Sequence, residues 1–143
     1  MVVNTDDGAG HPWGWKVHGR TDVRDAMQPI SEALLRDYSA TGLTTDFSYD
    51  TDHGPFLLEG IPALDLLPAE AQYNALHHKA SDTFDKVDPV DAKADAAIVG
   101  MVTYVMADLP QPIARRISHK EVDEMLKKTG MYNYLTALGI WKP

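Results

Sequence analysis

Apolar residues along this chain follow two spacings, which predict two kinds of element. Short, largely apolar runs at residues 1–3 and 61–67 are typical of buried strands, and the second is expected to be a parallel strand. Apolar positions that recur every three or four residues instead predict helices. These helices are expected over residues 21–38, 88–108, 120–128 and 132–138. Strands that alternate with helices indicate an α/β layered fold.

Glycines, prolines and capping residues set the expected ends of these elements. Asp88 and Pro89 form a typical helix start, because aspartate accepts from free N–H groups and proline suits the first helical position. Pro29 is expected to kink or split the first helix. Elsewhere the pattern predicts a loop over residues 11–20, a short strand at 45–47 and a helical turn within 52–60.

Composition and charge narrow the classes of protein to which this chain can belong. Its 143 residues, 44% hydrophobic and 24% charged, are typical of a single globular domain. With 21 acidic and 13 basic residues the net charge is −8, which disfavours nucleic acid and anionic lipid as partners. No apolar run approaches the roughly 20 residues of a membrane span, and Met1 does not begin a signal peptide. Since the chain has no cysteine, a metal site must use histidine, aspartate or glutamate.

Two polar segments lie where predicted elements meet loops. Residues 4–8 carry Asp6 and Asp7 directly after the first strand, and ligands of open α/β sheets gather at the carboxyl ends of strands. An Asx-type turn explains the same residues without any ligand. Asp52 and His53 precede a predicted helical turn, where a helix cap and a surface imidazole are the simpler explanation. Residue spacing alone does not decide between a ligand-binding role and a purely structural role for either segment.

A third polar segment contains adjacent histidines close to several carboxylates. Neutral imidazole binds zinc through one nitrogen, and a nearby carboxylate can hold the other N–H and fix the tautomer. His77 and His78 supply the imidazoles, and Asp82 is the nearby carboxylate. An ordinary pair of surface histidines fits the same spacing equally well.

Taken together, two of these segments carry a family resemblance. The motif DHxPFxxxGIP at residues 52–62 and the motif HxxxDTxDKV at 78–87 resemble the C-terminal part of the co-catalytic zinc exopeptidases, and among them the carboxypeptidase Q or plasma glutamate carboxypeptidase family. The likeness extends over residues 3–108. It implies an α/β/α sandwich around a mainly parallel sheet, here incomplete, and hydrolysis of a peptide bond beside a free terminus. Peptides or dipeptides are the implied substrates, and the full-length family is expected to be secreted or periplasmic.

The resemblance also implies a metal site that holds two zinc ions. Asp6 and His78 occupy the positions of two of the family's ligands, one for each ion, and Asp82 is expected to support His78 from outside the coordination shell. The family's remaining ligands and its catalytic Glu-Glu pair all precede Asp6, and this chain contains no Glu-Glu pair. We therefore expect the isolated chain to bind zinc weakly and to lack peptidase activity.

Further residues are implied in substrate binding. His77 stands where the family often has an oxyanion-binding tyrosine, so it either takes that catalytic role or lines the pocket. Asp52 and His53 fall where the family lines its substrate pocket.

The expected organisation is a zinc-peptidase part over residues 1–110 and a helical extension over 111–143 that packs on it. Three hypotheses follow for the function. The chain is a portion of a metallopeptidase, or it is a non-catalytic relic that binds a peptide or a partner. Under the third hypothesis its site is completed by a missing N-terminal half or by a second copy in a homodimer.

Overall fold

The computed structural model describes residues 1–8, 10–69 and 73–143. It contains a sheet of four strands, β1 (Val2–Asn4), β2 (Pro12–Lys16), β3 (Gly42–Thr44) and β4 (Ala63–Pro68). The strands lie in the order β1-β4-β2-β3. The pairs β1–β4 and β2–β3 are parallel, and β2–β4 is antiparallel. The predicted α/β fold with a mainly parallel, incomplete sheet is confirmed.

Helices follow most of the strands. They are α1 (Thr21–Leu34), α2 (Gly54–Leu58), α3 (Tyr73–Leu76), α4 (Pro89–Asp108), α5 (His119–Lys128) and α6 (Tyr132–Ala137). The predicted start of α4 is confirmed, because the Asp88 carboxylate accepts from the Val90 N–H at 2.7 Å. The first helix ends at Leu34 rather than Tyr38, and Pro29 lies inside it without dividing it.

The prediction of a loop over residues 11–20 is wrong, since β2 lies there. Its glycine is needed for close strand pairing and not for a turn. A Cβ at Gly14 would lie 2.2 Å from the carbonyl oxygen of Gly42 on β3, so only glycine lets the two strands approach. The strand expected at residues 45–47 is also displaced, because β3 ends at Thr44.

The main core lies between the sheet and the helices α1 and α4. Leu64 and Leu66 of β4 join this core, and Asp65 between them faces the opposite side of the sheet, because successive strand residues alternate in direction. On that side Asp65 approaches His53, which precedes α2. This largely apolar strand therefore carries a buried carboxylate between two apolar neighbours.

A second core joins α5 and α6. Val122, Leu126 and Leu135 are fully buried there, with Leu58 of α2 packed against them. The helical extension thus contacts the rest of the chain, while its boundary at residue 110 stays a prediction. Within the described ranges, no helix combines the length and the apolar composition that crossing a bilayer requires.

Candidate active-site cleft

An open cleft of about 730 Å³ lies at the edge of the sheet where β1 and β4 end. Because β1 and β4 are parallel neighbours, the segments that leave them emerge at the same edge. The segment after β1 contributes Asp6 and Asp7, and the segment after β4 contributes His77 and His78. The polar lining of this cleft consists mainly of carboxylates and imidazoles: Asp6, Asp7, Asp50, Asp82, Asp88, Asp91, His11, His77 and His78.

The two adjacent histidines directly follow α3 and are exposed. The ring of Tyr73 stacks on His77 with centroids 4.6 Å apart, and the rings of His77 and His78 are 3.8 Å apart. His78 has a φ of +57°, a left-handed conformation that costs roughly 1–2 kcal/mol outside glycine. Such backbone strain is most often retained at functional sites.

Tyr73 is the polar aromatic residue closest to this pair. Partial burial raises its pKa, and the negative charges of Asp7, Asp6 and Asp50 raise it further. Its phenol therefore stays protonated at neutral pH and can donate a hydrogen bond.

The structure brings four of the residues implied by the resemblance to the cleft lining: Asp6, His77, His78 and Asp82. Asp52 is exposed and does not line the cleft. His53 is fully buried beneath it, and the neighbouring Thr51 lines the cleft instead. The substrate-pocket roles of Asp52 and His53 stay predictions.

A buried polar cluster beneath the cleft was not found from the sequence. The Asn4 amide nitrogen donates to Asp65 Oδ1 at 2.7 Å and to Thr51 Oγ1 at 2.9 Å. Thr51 Oγ1 is 2.6 Å from His53 Nδ1, and the rings of His18 and His53 stack with centroids 4.1 Å apart. The available sequence signal was the aspartate inside the apolar run at 61–67.

Burial controls the protonation of this cluster. Desolvation raises the pKa of Asp65, and the charge of Asp7 adds to this, whereas the Asn4 hydrogen bond opposes it. Burial lowers the pKa of His18 to about 3, with smaller contributions from His53 and Lys16. His18 is therefore neutral in the folded chain at physiological pH.

The cleft carboxylates and imidazoles do not themselves form a compact ligand set. Within residues 1–8, 10–69 and 73–143, one group of three histidine or carboxylate side chains has its ligand atoms within 4.8 Å of one another, and it consists of His18, His53 and Asp65. Asp6, His78 and Asp82 share the cleft without converging to this degree.

Asp95 of α4 lines a smaller cavity of about 320 Å³ beside the cleft. Burial raises its pKa to about 6, with the charge of Asp91 adding and that of His11 opposing. Its Oδ1 is buried without a hydrogen-bond partner in the described part of the chain. The ionised carboxylate therefore costs stability at neutral pH.

We expect Asp95→Asn to stabilise the fold at pH 8 by about 1–2 kcal/mol, since one pKa unit is worth about 1.4 kcal/mol and partial exposure weakens the effect. Because the folded pKa is about 6 and the ordinary value is 3.8, the advantage should shrink as the pH falls from 7 towards 4. Urea unfolding at pH 4, 6 and 8 measures it. Asp108→Asn, at the exposed end of the same helix, is the control, and an equal gain there would contradict the prediction.

An α/β sheet that presents histidines and aspartates at its strand ends is typical of metal-dependent hydrolases. The model of Peptidase family M28 matches residues 4–103, and the chain belongs to this family of metallopeptidases.

Similar proteins with assigned names are carboxypeptidases. Carboxypeptidase Q of Xenopus laevis is 30% identical over 115 residues, which are 80% of this chain and 24% of that protein. Carboxypeptidase Q of Bos taurus is 30% identical and that of Homo sapiens 28% identical over the same length. The chain spans about a quarter of the length of these relatives, 24% in each. No solved structure gives a significant match.

Proposed function

We propose that this chain provides part of the active site of a two-zinc exopeptidase. In this proposal Asp6 holds one ion and His78 the other, while the remaining ligands come from a further segment. The observation that carries the proposal is the parallel pairing of β1 with β4, which delivers both residues to the same cleft. The further segment that supplies the remaining zinc ligands belongs to the same longer protein, to a partner or to a second copy of this chain.

The chemistry of the cleft suits this assignment. Aspartate and histidine are ordinary zinc ligands, and the concentration of carboxylates attracts cations and free amino groups. The cleft volume of about 730 Å³ lies within the usual range for small-molecule sites and is large enough for a dipeptide. Two zinc ions, when bound, activate the attacking water and stabilise the developing negative charge on the substrate oxygen.

Residues of this chain then orient the zinc-binding histidine and donate hydrogen bonds to the substrate. Asp82 lies in the cleft with His78. In this proposal it accepts the free ring N–H of the zinc-bound His78, which fixes the tautomer. His77 donates to the substrate oxygen or lines the pocket, and the protonated Tyr73 stacked on it is a second donor in the same position. A donor aimed at a developing oxyanion contributes roughly 10²–10³-fold to the rate.

We infer that the isolated chain is inactive. A zinc site needs three or four protein ligands, and the proposal gives each ion one. All carboxylates in the described cleft lining are aspartates, so the glutamate base of the family is not among them.

A chimera tests the proposal. Residues 4–103 of this chain, which the family model matches, replace the corresponding segment of Xenopus laevis carboxypeptidase Q, and dipeptide hydrolysis is measured with zinc. We expect activity in the chimera, loss of at least 100-fold in its His78→Asn variant, and a smaller loss in Asp82→Asn. Asp37→Asn changes an exposed aspartate outside the cleft within the same segment, and this matched control should retain full activity.

A folded chimera that binds zinc but hydrolyses no dipeptide would contradict the proposal. The alternative, a non-catalytic peptide-binding relic, is favoured by the lack of convergence among Asp6, His78 and Asp82. It predicts that the chain alone binds dipeptides equally well with zinc and with EDTA, which calorimetry measures.

A further inference from the structure

Beneath the cleft, three side chains converge that the proposed zinc pair does not use. His18, His53 and Asp65 are each at most 1% exposed, and one ligand atom of each lies within 4.8 Å of the others. They come from the end of β2, the start of α2 and the middle of β4, so the tertiary fold alone brings them together. We propose that this trio binds one divalent transition-metal ion of the zinc type inside the fold.

Two of the three donors are oriented as protein metal ligands are. His53 Nε2 donates to the Ser48 carbonyl oxygen at 3.1 Å, so Nδ1 carries the lone pair and lies 3.9 Å from Asp65 Oδ2. The Thr51 hydroxyl donates to this Nδ1 at 2.6 Å and turns away when a metal ion binds there. Asp65 Oδ1 accepts from Asn4 at 2.7 Å, which leaves Oδ2 available. Outer partners of this kind fix the tautomer of a ligating histidine and the direction of a ligating carboxylate.

His18 supplies an independent observation. Its Nε2 is buried without a hydrogen-bond partner in the described ranges, a state that costs about 1–3 kcal/mol. Its Nδ1 accepts from the Ser48 N–H at 3.5 Å, so binding a metal ion through Nε2 moves the ring proton to Nδ1 and gives up this long hydrogen bond. Its φ of +49° belongs to the turn that His18 and Gly19 form between β2 and α1. Its ring lies against His53 with centroids 4.1 Å apart. Two imidazoles and one carboxylate form the three-ligand set that zinc takes when a fourth position stays open.

Lys16 is the charged group that opposes a cation here. Its Nζ lies 3.9 Å from Asp65 Oδ2 and 3.8 Å from Asp7 Oδ2. When Asp65 turns to a metal ion, Lys16 keeps Asp7 as its partner. Tetrahedral zinc bonds of about 2.0–2.1 Å hold ligand atoms about 3.3 Å apart, so the trio contracts on binding.

Zinc titration of the wild-type chain tests the proposal directly. Metal-free, nitrogen-15-labelled protein receives zinc chloride, and long-range proton–nitrogen NMR follows the ring nitrogens of its six histidines. We expect one equivalent of zinc to shift the ring nitrogens of His18 and His53 together. Unchanged signals, or shifts confined to His77 and His78, would overturn the proposal.

Two matched variants add an affinity measurement. His18→Asn removes the buried imidazole at a positive φ, which asparagine tolerates. His119→Asn removes an exposed imidazole that belongs to neither site. We expect His18→Asn to weaken the zinc affinity measured by calorimetry by more than about 10–100-fold, the range for loss of an outer partner. His119→Asn should leave this affinity unchanged. Equal affinity of His18→Asn and wild type would refute the site.

Circular dichroism of both metal-free variants checks that they fold, and the wild-type titration stands without them. An inactive chimera would remove the proposed catalytic role and leave these zinc results unaffected.

Discussion

Replacing Gly60 with alanine is expected to destabilise the chain by about 3 kcal/mol or more. Gly60 has a φ of +74°, and a Cβ there would lie 2.1 Å from the carbonyl oxygen of Ile117. The left-handed conformation costs about 1–2 kcal/mol for alanine, and the clash requires a backbone shift that costs about 1–3 kcal/mol more. That shift would also break the hydrogen bond from the Ile117 N–H to the Gly60 carbonyl, now 3.0 Å. Urea unfolding at pH 7 measures the loss.

Gly130→Ala separates the cost of the left-handed backbone conformation from the cost of the steric clash. Gly130 has a similar φ of +79°, but no atom lies within 4 Å of the Cβ position. Its substitution should cost only about 1–2 kcal/mol. If both variants lose the same stability, the close approach of Gly60 to residues 111–143 contributes nothing, and the contact between the two predicted parts of the chain is weaker than the geometry implies.

The second large effect is expected from Arg20→Met, which should cost about 2–4 kcal/mol. Arg20 is 5% exposed and donates to both carboxylate oxygens of Asp22, at 2.8 and 2.7 Å. It also donates to the carbonyl oxygens of Arg115 and Gly60, at 2.9 and 3.4 Å. Methionine fills the space but removes the donor of the Arg115 carbonyl and the bidentate partner of Asp22, while the Gly60 carbonyl keeps the Ile117 N–H. Thermal and urea unfolding measure the change.

The pH dependence of this variant gives a further check. The Arg20 hydrogen bonds hold the pKa of Asp22 below its usual 3.8. A group with a lowered folded pKa contributes stability above its unfolded pKa, and this contribution is lost on acidification. The difference in stability between wild type and Arg20→Met should therefore narrow below about pH 4, and the part that comes from the carbonyl hydrogen bonds of Arg20 should remain. Arg24→Met removes an exposed pair with Asp25 and should cost under about 0.5 kcal/mol. A comparable loss in both variants would show that burial of Arg20 is not the cause.

Both substitutions act where residues 1–110 meet residues 111–143. Arg20 and Gly60 belong to the first part, and each is bonded to the segment that leads into α5, through Arg115 and Ile117. Cooperative unfolding of wild type in one transition would follow from these contacts. The helical extension is thus tied to the rest of the chain close to the start of α1 and the end of α2.

The local sequence was sufficient to predict features that depend on interactions between residues close together in the chain. The aspartate and proline at the start of α4 cap it as expected, because the carboxylate reaches an N–H two residues away. The same local logic failed for β2, whose Gly14 indicated a turn. Only the partner strand, at Gly42, explains why a glycine is required inside a strand.

The candidate sites divide in the same way. Family motifs indicated Asp6 and His78, and parallel strands at one sheet edge are what place them in a common cleft. The substrate-pocket role of His53 stays a prediction, and the structure shows in addition that His53 lies buried against His18. No local pattern indicates that these two rings stack, because 35 residues separate them in the chain.

By itself the sequence determined the α/β class, the long helices and the family, since periodicity, caps and contiguous motifs are local properties. The tertiary structure decided the order and direction of the strands, the close approach of Gly14 and Gly60 to other backbone, and the convergence of His18, His53 and Asp65. These features depend on contacts between distant segments, and such contacts form only when the apolar faces of the sheet and helices are buried together.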